Sequence, residues 1–139
     1  DQAEQSMPEN FLKCKRILLV EDNELNVEIA RTILQDVQAE VEVAADGAIA
    51  VAMVQKASAG YYDVVLMDIQ MPKMNGYQAT KAIRKLPDER AQVPIIAMTA
   101  NAFEEDRQAA FAAGMDDYLA KPIEIDKLLR KIVKALKKK

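Results

Sequence analysis

The chain has 139 residues, of which 50% are hydrophobic and 29% charged, with a formal net charge of -3. This length suits one domain, and the composition excludes a disordered chain and a membrane-embedded one. The weakly acidic balance argues against a nucleic-acid surface. No apolar run suffices for a signal peptide or a membrane span, so we expect a cytoplasmic domain without direct membrane contact, either free or tethered through further parts of a parent chain.

Short segments of branched residues alternate along the chain with longer segments that carry apolar residues at helical spacing. The short segments predict five strands, at residues 16–20, 39–45, 63–67, 93–98 and 116–120. The longer segments predict five helices, at residues 25–37, 47–57, 76–86, 102–113 and 123–136. The last helix is predicted to pack on the sheet through one apolar face, formed by Ile125, Leu128, Leu129, Ile132, Val133 and Leu136.

This alternation predicts an α/β fold in which parallel strands are joined by right-handed crossovers. The expected architecture is a flavodoxin-like, doubly wound (βα)5 three-layer sandwich whose five-stranded sheet has the order 2-1-3-4-5. Strand 3, apolar at residues 64–67, fits a central position buried on both faces. The pairs Asp46-Gly47 and Asn75-Gly76 indicate short loops before the predicted helices, and Asn101, with Glu104 three residues later, is typical of a capping-box helix start.

The two ends of the chain differ in character. Residues 1–14 are expected to be a polar tail or linker and residues 15–139 to be the folded domain. The chain does not begin with methionine, which suggests that it is excised from a longer protein. The single cysteine, Cys14, excludes an internal disulfide and is expected at the edge of the core.

Polar side chains stand at the carboxyl ends of four predicted strands. Glu21 and Asp22 follow strand 1, Asp68 follows strand 3, Thr99 follows strand 4 and Lys121 follows strand 5. In an open parallel sheet these ends meet in one crevice at the point where the strand order reverses. Two carboxylates about 5 Å apart repel each other by roughly 3 kcal/mol at an effective dielectric constant near 20, so the acidic cluster requires a cation.

One lysine cannot neutralise three acids, and an anionic cluster of oxygen ligands suits Mg²⁺. In a neutralised crevice Asp68 becomes a candidate nucleophile that accepts a phosphoryl group as an aspartyl phosphate. The metal, the Lys121 ammonium and the Thr99 hydroxyl are suited to bind the three equatorial phosphoryl oxygens. The residues therefore predict a phosphate acceptor at the end of strand 3.

Each of these residues also has a structural explanation when it is taken alone. Asp68 suits a turn, Glu21 and Asp22 suit the start of a helix, and Tyr118 suits a half-buried core position. Their joint placement at the same sheet edge favours a functional site. Three other functions are alternatives: a phosphatase of the haloacid dehalogenase type, a flavin-binding electron carrier, and an interaction module that is not phosphorylated.

Four segments, "ILLVEDNELNVEIA", "VVLMDIQMPKMNGYQAT", "PIIAMTANAF" and "GMDDYLAKPI", resemble the receiver, or response regulator, domain of two-component signalling proteins over about residues 15 to 136. The resemblance implies that Asp68 is phosphorylated and that Thr99 and Lys121 contact the phosphoryl oxygens. It also implies a cis peptide bond between Lys121 and Pro122. The Mg²⁺ ligands would be Asp22 and Asp68 directly, Glu21 through water, and the backbone carbonyl of Gln70.

The resemblance further implies a conformational switch. Thr99 and Tyr118 would move on phosphorylation, and Gln70 and Asn101 would tune the lifetime of the phosphorylated state. Such a domain catalyses its own phosphorylation and dephosphorylation and is not otherwise an enzyme. The motifs resemble receivers attached to hybrid sensor histidine kinases, so a histidine kinase is the expected type of parent chain.

The chain contains no histidine, so it cannot hold its own phosphohistidine donor. The donor must be a histidine kinase or a histidine phosphotransfer domain, elsewhere in the parent chain or in another protein. We expect it to dock on the helix after strand 1, near Asn26 and Ile29, and on the loop around Pro122, since both flank the crevice.

Overall fold

A five-stranded parallel sheet forms the centre of the computed structural model, which describes residues 12–71, 74–100 and 104–137. The strands are β1 (Arg16–Val20), β2 (Glu40–Ala44), β3 (Val64–Asp68), β4 (Ile95–Thr99) and β5 (Asp117–Ala120). The helices are α1 (Glu24–Asp36), α2 (Gly47–Lys56), α3 (Gly76–Arg84), α4 (Glu104–Ala113) and α5 (Ile125–Lys137). A short 3-10 helix, Glu89–Gln92, precedes β4.

The strand order is β2-β1-β3-β4-β5, and all pairs are parallel. The order reverses between β1 and β3, which pair with Val20 opposite Met67. On its other side β3 pairs with β4, with Asp68 opposite Met98. The predicted flavodoxin-like fold is confirmed, and its switch point lies beside the end of β3.

Two hydrophobic layers cover the two faces of the sheet. Val64 and Leu66 of β3 pack with residues of α1 and α5, whereas Val65 and Met67 pack with residues of α2, α3 and α4. Successive side chains of a strand point to opposite faces, so an unbroken apolar run is what a strand buried on both faces requires. The prediction that this strand is central is therefore confirmed.

Side-chain caps begin the helices that frame the carboxyl end of the sheet. Asn23 accepts the Asn26 N–H at 3.1 Å and Asp46 accepts the Ile49 N–H at 2.9 Å, each at a helix start. Asn75 and Gln78 form a reciprocal capping box at the start of α3. The helix starts predicted after Asp46 and Asn75 are confirmed, while the start predicted at Asn101 lies outside the described residues.

Gly76 allows α3 to begin close to the end of β3. A Cβ atom at this position would lie 2.5 Å from the backbone oxygen of Asp68 and 2.9 Å from the Cα of Ile69. Both are backbone atoms that cannot move aside, so a side chain would push α3 away from Asp68. The Gly76 N–H also donates to the Ile69 carbonyl at 2.9 Å, which fixes the helix start against the strand.

The burial of three residues differs from the prediction. Ile125 was predicted to be on the buried face of the last helix, but it is 56% exposed, because it is the first residue of α5 and precedes the buried part of the helix, which begins at Leu128. Cys14 was predicted at the core edge and is exposed. Leu12, in the segment predicted as a tail, is buried in the core, whereas residues 1–11 lie outside the described residues.

None of the helices within residues 12–71, 74–100 and 104–137 combines the length and the apolar character that crossing a bilayer requires.

Candidate functional site

The five predicted crevice residues lie at the carboxyl edge of the sheet. Glu21 and Asp22 directly follow β1, Lys121 directly follows β5, and Asp68 and Thr99 are the last residues of β3 and β4. One ligand atom from each of the three acids lies within 4.8 Å of the others. The predicted convergence is confirmed, because parallel strands that end at one edge bring residues distant in sequence together.

Backbone hydrogen bonds continue beyond the strands and hold these residues in place. The Glu21 N–H donates to the Ala44 carbonyl at 3.0 Å, and the Lys121 N–H donates to the Thr99 carbonyl at 2.8 Å. Both side chains therefore project from backbone tied to a neighbouring strand. A site built on strand ends in this way is more rigid than one built on free loops.

A single ammonium group pairs with two buried carboxylates. The Lys121 Nζ atom lies 2.9 Å from Glu21 Oε1 and 3.3 Å from Asp68 Oδ1. Glu21 is 2% exposed and Asp68 3% exposed, whereas Asp22 is exposed. Two buried negative charges thus face one half-buried positive charge, and the crevice keeps a net negative charge when both acids are ionised.

The pKa values of the two buried acids are shifted in opposite directions. Burial, and then the neighbouring Glu21 carboxylate, raise the pKa of Asp68 to about 6. Burial also acts to raise the pKa of Glu21, but contacts with Lys121 and Asp68 and the Asn23 N–H lower it overall. Glu21 therefore keeps its charge, and Asp68 is the acid whose ionisation its protein surroundings oppose.

The donor set fits a small divalent cation. Glu21, Asp22 and Asp68 offer carboxylate oxygens, the ligands that Mg²⁺ prefers. Glu21 Oε1 is fully buried, and although Lys121 lies close to it, it accepts no well-aligned hydrogen bond within the described part of the chain. That oxygen has a lone pair available for a cation, directly or through water. The crevice can hold a divalent ion among its acids.

Gln70 contacts Asp68 through its backbone. The Gln70 N–H donates to Asp68 Oδ1 at 3.3 Å, and the Gln70 side chain is exposed. The predicted metal contact of the Gln70 carbonyl and its effect on lifetime stay predictions. Asn101, the other residue predicted to tune lifetime, lies outside the described residues.

Thr99 and Tyr118 lie on the same face of neighbouring strands. Tyr118 is opposite Ala97 in the pairing of β4 with β5, and Thr99 is two residues further along β4. Because every second residue of a strand points to the same face, the Thr99 and Tyr118 side chains are diagonal neighbours. Thr99 is buried and Tyr118 half-buried. The predicted cis peptide bond between Lys121 and Pro122 is confirmed.

Two features of the site were missed by sequence reasoning. The Asn23 N–H donates to Glu21 Oε2 at 3.2 Å, so the residue that caps α1 also fixes this acid. Arg107 and Lys131 contact the ring of Tyr118 from two helices. The cap could have been inferred from "EDN" before a helix, but charged residues on helices are too common for sequence to single out these two.

The family model described as "Response regulator receiver domain" matches residues 17–133. The chain belongs to this family. A curated relative, the sensor protein GacS of Pseudomonas syringae pv. syringae, is 43% identical over 124 residues, which are 88% of this chain and 13% of GacS. The receiver domain thus corresponds to a small part of that much longer protein.

Two solved structures extend the similarity. The receiver domain of a sensor histidine kinase from Pseudomonas aeruginosa, with a magnesium ion coordinated in its active site cleft, is 40% identical with a TM-score of 0.80 and covers 89% of this chain and 98% of its own. The receiver domain of a Saccharomyces cerevisiae response regulator, in complex with a histidine phosphotransfer signalling protein, is 30% identical with a TM-score of 0.79, covering 88% of both chains.

This receiver domain is a phosphoacceptor domain of a two-component phosphorelay. Family membership is inconsistent with the flavin-binding electron carrier and the phosphatase of the haloacid dehalogenase type, although the former shares the fold. It leaves open which residues carry the chemistry. Those assignments rest on the crevice geometry.

Proposed function

We propose that Asp68 accepts a phosphoryl group from a phosphohistidine, assisted by Thr99, Lys121 and a Mg²⁺ ion bound among the crevice acids. The observation that carries the proposal is the sharing of one ammonium by the buried carboxylates of Glu21 and Asp68. A buried cluster of this kind is costly unless a ligand neutralises it. The raised pKa of Asp68 identifies the acid that gains most from such a ligand.

The ligands that would hold Mg²⁺ are Asp22 and Asp68 directly, Glu21 through water, and the Gln70 carbonyl. When bound, the ion supplies positive charge where the oxygens of Asp68 and of an incoming phosphoryl group meet. Asp22 is the exposed member of the cluster, so it lies on the side from which an ion enters. The magnesium ion of the similar Pseudomonas aeruginosa receiver domain supports this choice of metal.

The transfer step needs no proton from the acceptor. An Asp68 carboxylate oxygen attacks phosphorus, a P–O bond forms as the P–N bond of the phosphohistidine breaks, and the electron pair leaves with the imidazole nitrogen. Lys121 is held at the crevice by its contacts with both acids and neutralises charge on a phosphoryl oxygen. The hydroxyl group of Thr99, at the end of the neighbouring strand, donates a hydrogen bond to another phosphoryl oxygen.

Hydrolysis of the aspartyl phosphate restores the negative charge of the Asp68 carboxylate. Water attacks phosphorus, the bond to Asp68 Oδ breaks, and phosphate leaves while the carboxylate is restored. Gln70 directly follows the Asp68-Ile69 segment and has an exposed side chain, a position suited to influence the entry of water. In this sense the domain catalyses its own phosphorylation and dephosphorylation, with Gln70 and Asn101 setting the lifetime.

The phosphodonor docks on the apolar rim of the crevice. Leu25 and Ile29 on the first two turns of α1 are exposed, as is Ile125 at the start of α5. Since α1 begins directly after the acidic residues, its outer face borders the crevice. A histidine phosphotransfer domain, or the equivalent part of a histidine kinase, fits this rim. The complex of the similar yeast receiver domain with a phosphotransfer protein supports that partner class.

The parent protein is a hybrid histidine kinase located in the cytoplasm or tethered to the membrane from the cytoplasmic side. This proposal follows from GacS, of which the chain matches only 13%. Phosphorylation produces its output when Thr99 and Tyr118, diagonal neighbours on one sheet face, change position together. The phosphoryl group thereby biases a two-state element next to the crevice.

The decisive experiment is the intact mass of the protein after incubation with acetyl phosphate, with and without Mg²⁺. We expect a phosphate adduct that requires Mg²⁺ and is absent from Asp68→Asn. Asp36→Asn, at the far end of α1, is the matched control and should keep the adduct. An adduct on Asp68→Asn would show that another residue accepts the phosphoryl group and would contradict the assignment to Asp68. No adduct on the unmodified protein would contradict the proposed chemistry and leave an interaction module that is not phosphorylated as the remaining function.

A further inference from the structure

The ring of Tyr118 on β5 lies close to two cations that come from different helices. The Arg107 Cζ atom on α4 is 5.9 Å from the centre of the ring, and the Lys131 Nζ atom on α5 is 5.0 Å from it. Both distances are within the range in which a cation is attracted to the face of an aromatic ring. β5 is an edge strand that pairs only with β4, so side chains of these helices supply the lateral contacts of the ring.

Lys131 is held in position by an acid adjacent to the tyrosine. Its Nζ atom lies 2.9 Å from Asp117 Oδ1, and the same oxygen accepts the backbone N–H of Tyr118 at 2.8 Å. The Lys131 side chain is 29% exposed. For comparison, Lys127 on the same helix is 63% exposed and pairs with Glu124 at 3.6 Å. Lys131 is therefore more fixed than a typical surface lysine.

The inner side of the ring faces the hydrophobic core. Tyr118 packs against the core layer that contains Ala97 and Ala110. Ala97, its direct neighbour on β4, is small, and Thr99 is the next residue of that strand on the same face. The ring thus contacts two cations and the core layer, and Tyr118 lies one diagonal step from Thr99 at the crevice. A movement towards Thr99 would weaken its contacts with the cations.

We propose that Arg107 and Lys131 form a two-cation bracket, with Asp117 as its anchor, that holds the ring of Tyr118 in the half-buried position and thereby sets the balance of the switch. The regulatory part rests on the proposed function, in which Tyr118 moves with Thr99. Arg107 and Lys131 are positioning residues, since they act through the tyrosine and touch neither Asp68 nor the metal ligands. The bracket itself is a property of the unphosphorylated protein.

The bracket has a quantitative consequence. The cation contacts are made in the half-buried position of the ring, and in this proposal the inner position lacks them, so removal of one cation favours the inner position by the strength of that contact. Cation-ring contacts at partly exposed sites correspond to roughly a two- to five-fold change in an equilibrium constant. By linkage, any ligand of the crevice that prefers the inner position then binds more tightly, up to the same factor.

The first test observes the ring directly. The chain has four tyrosines and no tryptophan, so 3-fluorotyrosine labelling should give four ¹⁹F NMR signals, of which Tyr118→Phe identifies one. We expect Arg107→Gln and Lys131→Gln to shift the Tyr118 signal of the unphosphorylated protein, and Lys131→Arg to restore it. Arg130→Gln and Lys134→Gln, exposed cations of α5, are matched controls that should leave it unchanged. An unchanged Tyr118 signal in both bracket variants would overturn the proposal.

The second test measures the coupling to the crevice. Beryllofluoride with Mg²⁺, an analogue of the phosphoryl group, is titrated into each protein while the Tyr118 signal is followed. We expect about two- to five-fold tighter binding to Arg107→Gln and to Lys131→Gln, and unchanged binding to the α5 controls. Equal affinity in all variants would overturn the regulatory role. If the unmodified protein binds no beryllofluoride, the proposed function fails, and the unliganded spectra still decide whether the bracket exists.

Discussion

Both ends of the sheet carry contacts between acidic and basic side chains, but the charges balance at only one of the two ends in the contacts compared below. At the carboxyl end, one lysine faces the two buried acids Glu21 and Asp68, so charge is in excess. At the amino end, Arg84 faces one acid, Asp116, at 2.9 Å. Matched charge favours stability, whereas an unmatched buried charge favours binding of a ligand.

Arg84 connects three segments at the amino end. Its guanidinium donates to the carbonyls of Ala91 and Val93 at 2.7 Å each and to that of Gly114 at 2.8 Å. Asp116, its acid partner, also accepts the Ile95 N–H at 2.8 Å, where β4 begins. A planar group with five donors suits this convergence of loops. Glu21 at the other end has a buried oxygen without a well-aligned donor among the described residues.

The largest expected effect on stability comes from replacing Arg84, whose charge is matched by Asp116 at the amino end of the sheet. Arg84→Met keeps the aliphatic stem but leaves three carbonyls and Asp116 without their donor, so we expect a loss of about 2–4 kcal/mol in the free energy of unfolding. Denaturant unfolding measures it. Lys81→Met, an exposed cation of the same helix, should change stability by less than about 0.5 kcal/mol. A loss below about 1 kcal/mol for Arg84→Met would show that the network is not structural.

The same exchange of Asp for Asn should have opposite signs at the two ends. Without metal at pH 7.5, Asp68→Asn removes an unfavourable buried charge, and we expect a gain of about 1–3 kcal/mol. Asp116→Asn removes the matched acid and should destabilise the protein. Urea unfolding of both variants measures the contrast. If Asp68→Asn proves destabilising, the carboxylate is better compensated than its surroundings indicate.

The gain from Asp68→Asn should depend on pH. The folded-state pKa of Asp68 is about 6, above its ordinary value of 3.8. Between these values the folded protein binds the proton that the unfolded chain releases, so the contribution of Asp68 to stability is complete below about 3.8 and is lost as the pH rises through 6. The advantage of the Asn variant should therefore grow from about pH 4 to about pH 6 and then stay constant. A constant advantage across this range would contradict the raised pKa.

Binding of Mg²⁺ should offset the destabilisation that the buried acids cause at the carboxyl end of the sheet. At a Mg²⁺ concentration ten times the dissociation constant, we expect the unmodified protein to gain about 1.4 kcal/mol of stability, measured as a shift in its thermal or urea midpoint. Asp68→Asn and Asp22→Asn should lose this gain. Asp116→Asn, at the other end of the sheet, should keep it. A Mg²⁺ response that survives in Asp22→Asn would remove that exposed acid from the metal site.

The smallest effect on stability is expected at the exposed rim. Ile29→Ser on α1 should change stability by less than about 0.5 kcal/mol, since its side chain is solvent-exposed, yet slow phosphoryl transfer from a histidine phosphotransfer partner several-fold. Ile49→Ser on α2 is the control, because Ile49 is 44% exposed, as against 42% for Ile29, and lies on a helix of the opposite sheet face. Equal transfer rates in both variants would place the docking surface elsewhere.

Sequence reasoning predicted the elements and the crevice well because both depend on local pattern. Alternating strands and helices restrict the topology. Parallel strands bring Asp22, Asp68 and Lys121 to one edge of the sheet, and this does not depend on how the helices pack in detail. It failed at Ile125, because helical spacing predicts which residues share a face but not how far along the helix that face is covered. It also did not single out Arg84, because three of the four groups that this residue contacts are backbone carbonyls, which every residue has.

The sequence by itself indicated the parallel alternation of strands and helices, the apolar layers and the identity of the residues at the strand ends, since hydrophobic period does not depend on exact distances. Only the tertiary structure decided how Glu21 and Asp68 divide one ammonium, which of them has the raised pKa, and which cations contact Tyr118. These properties depend on separations of a few ångströms and on burial, which packing of the whole chain produces.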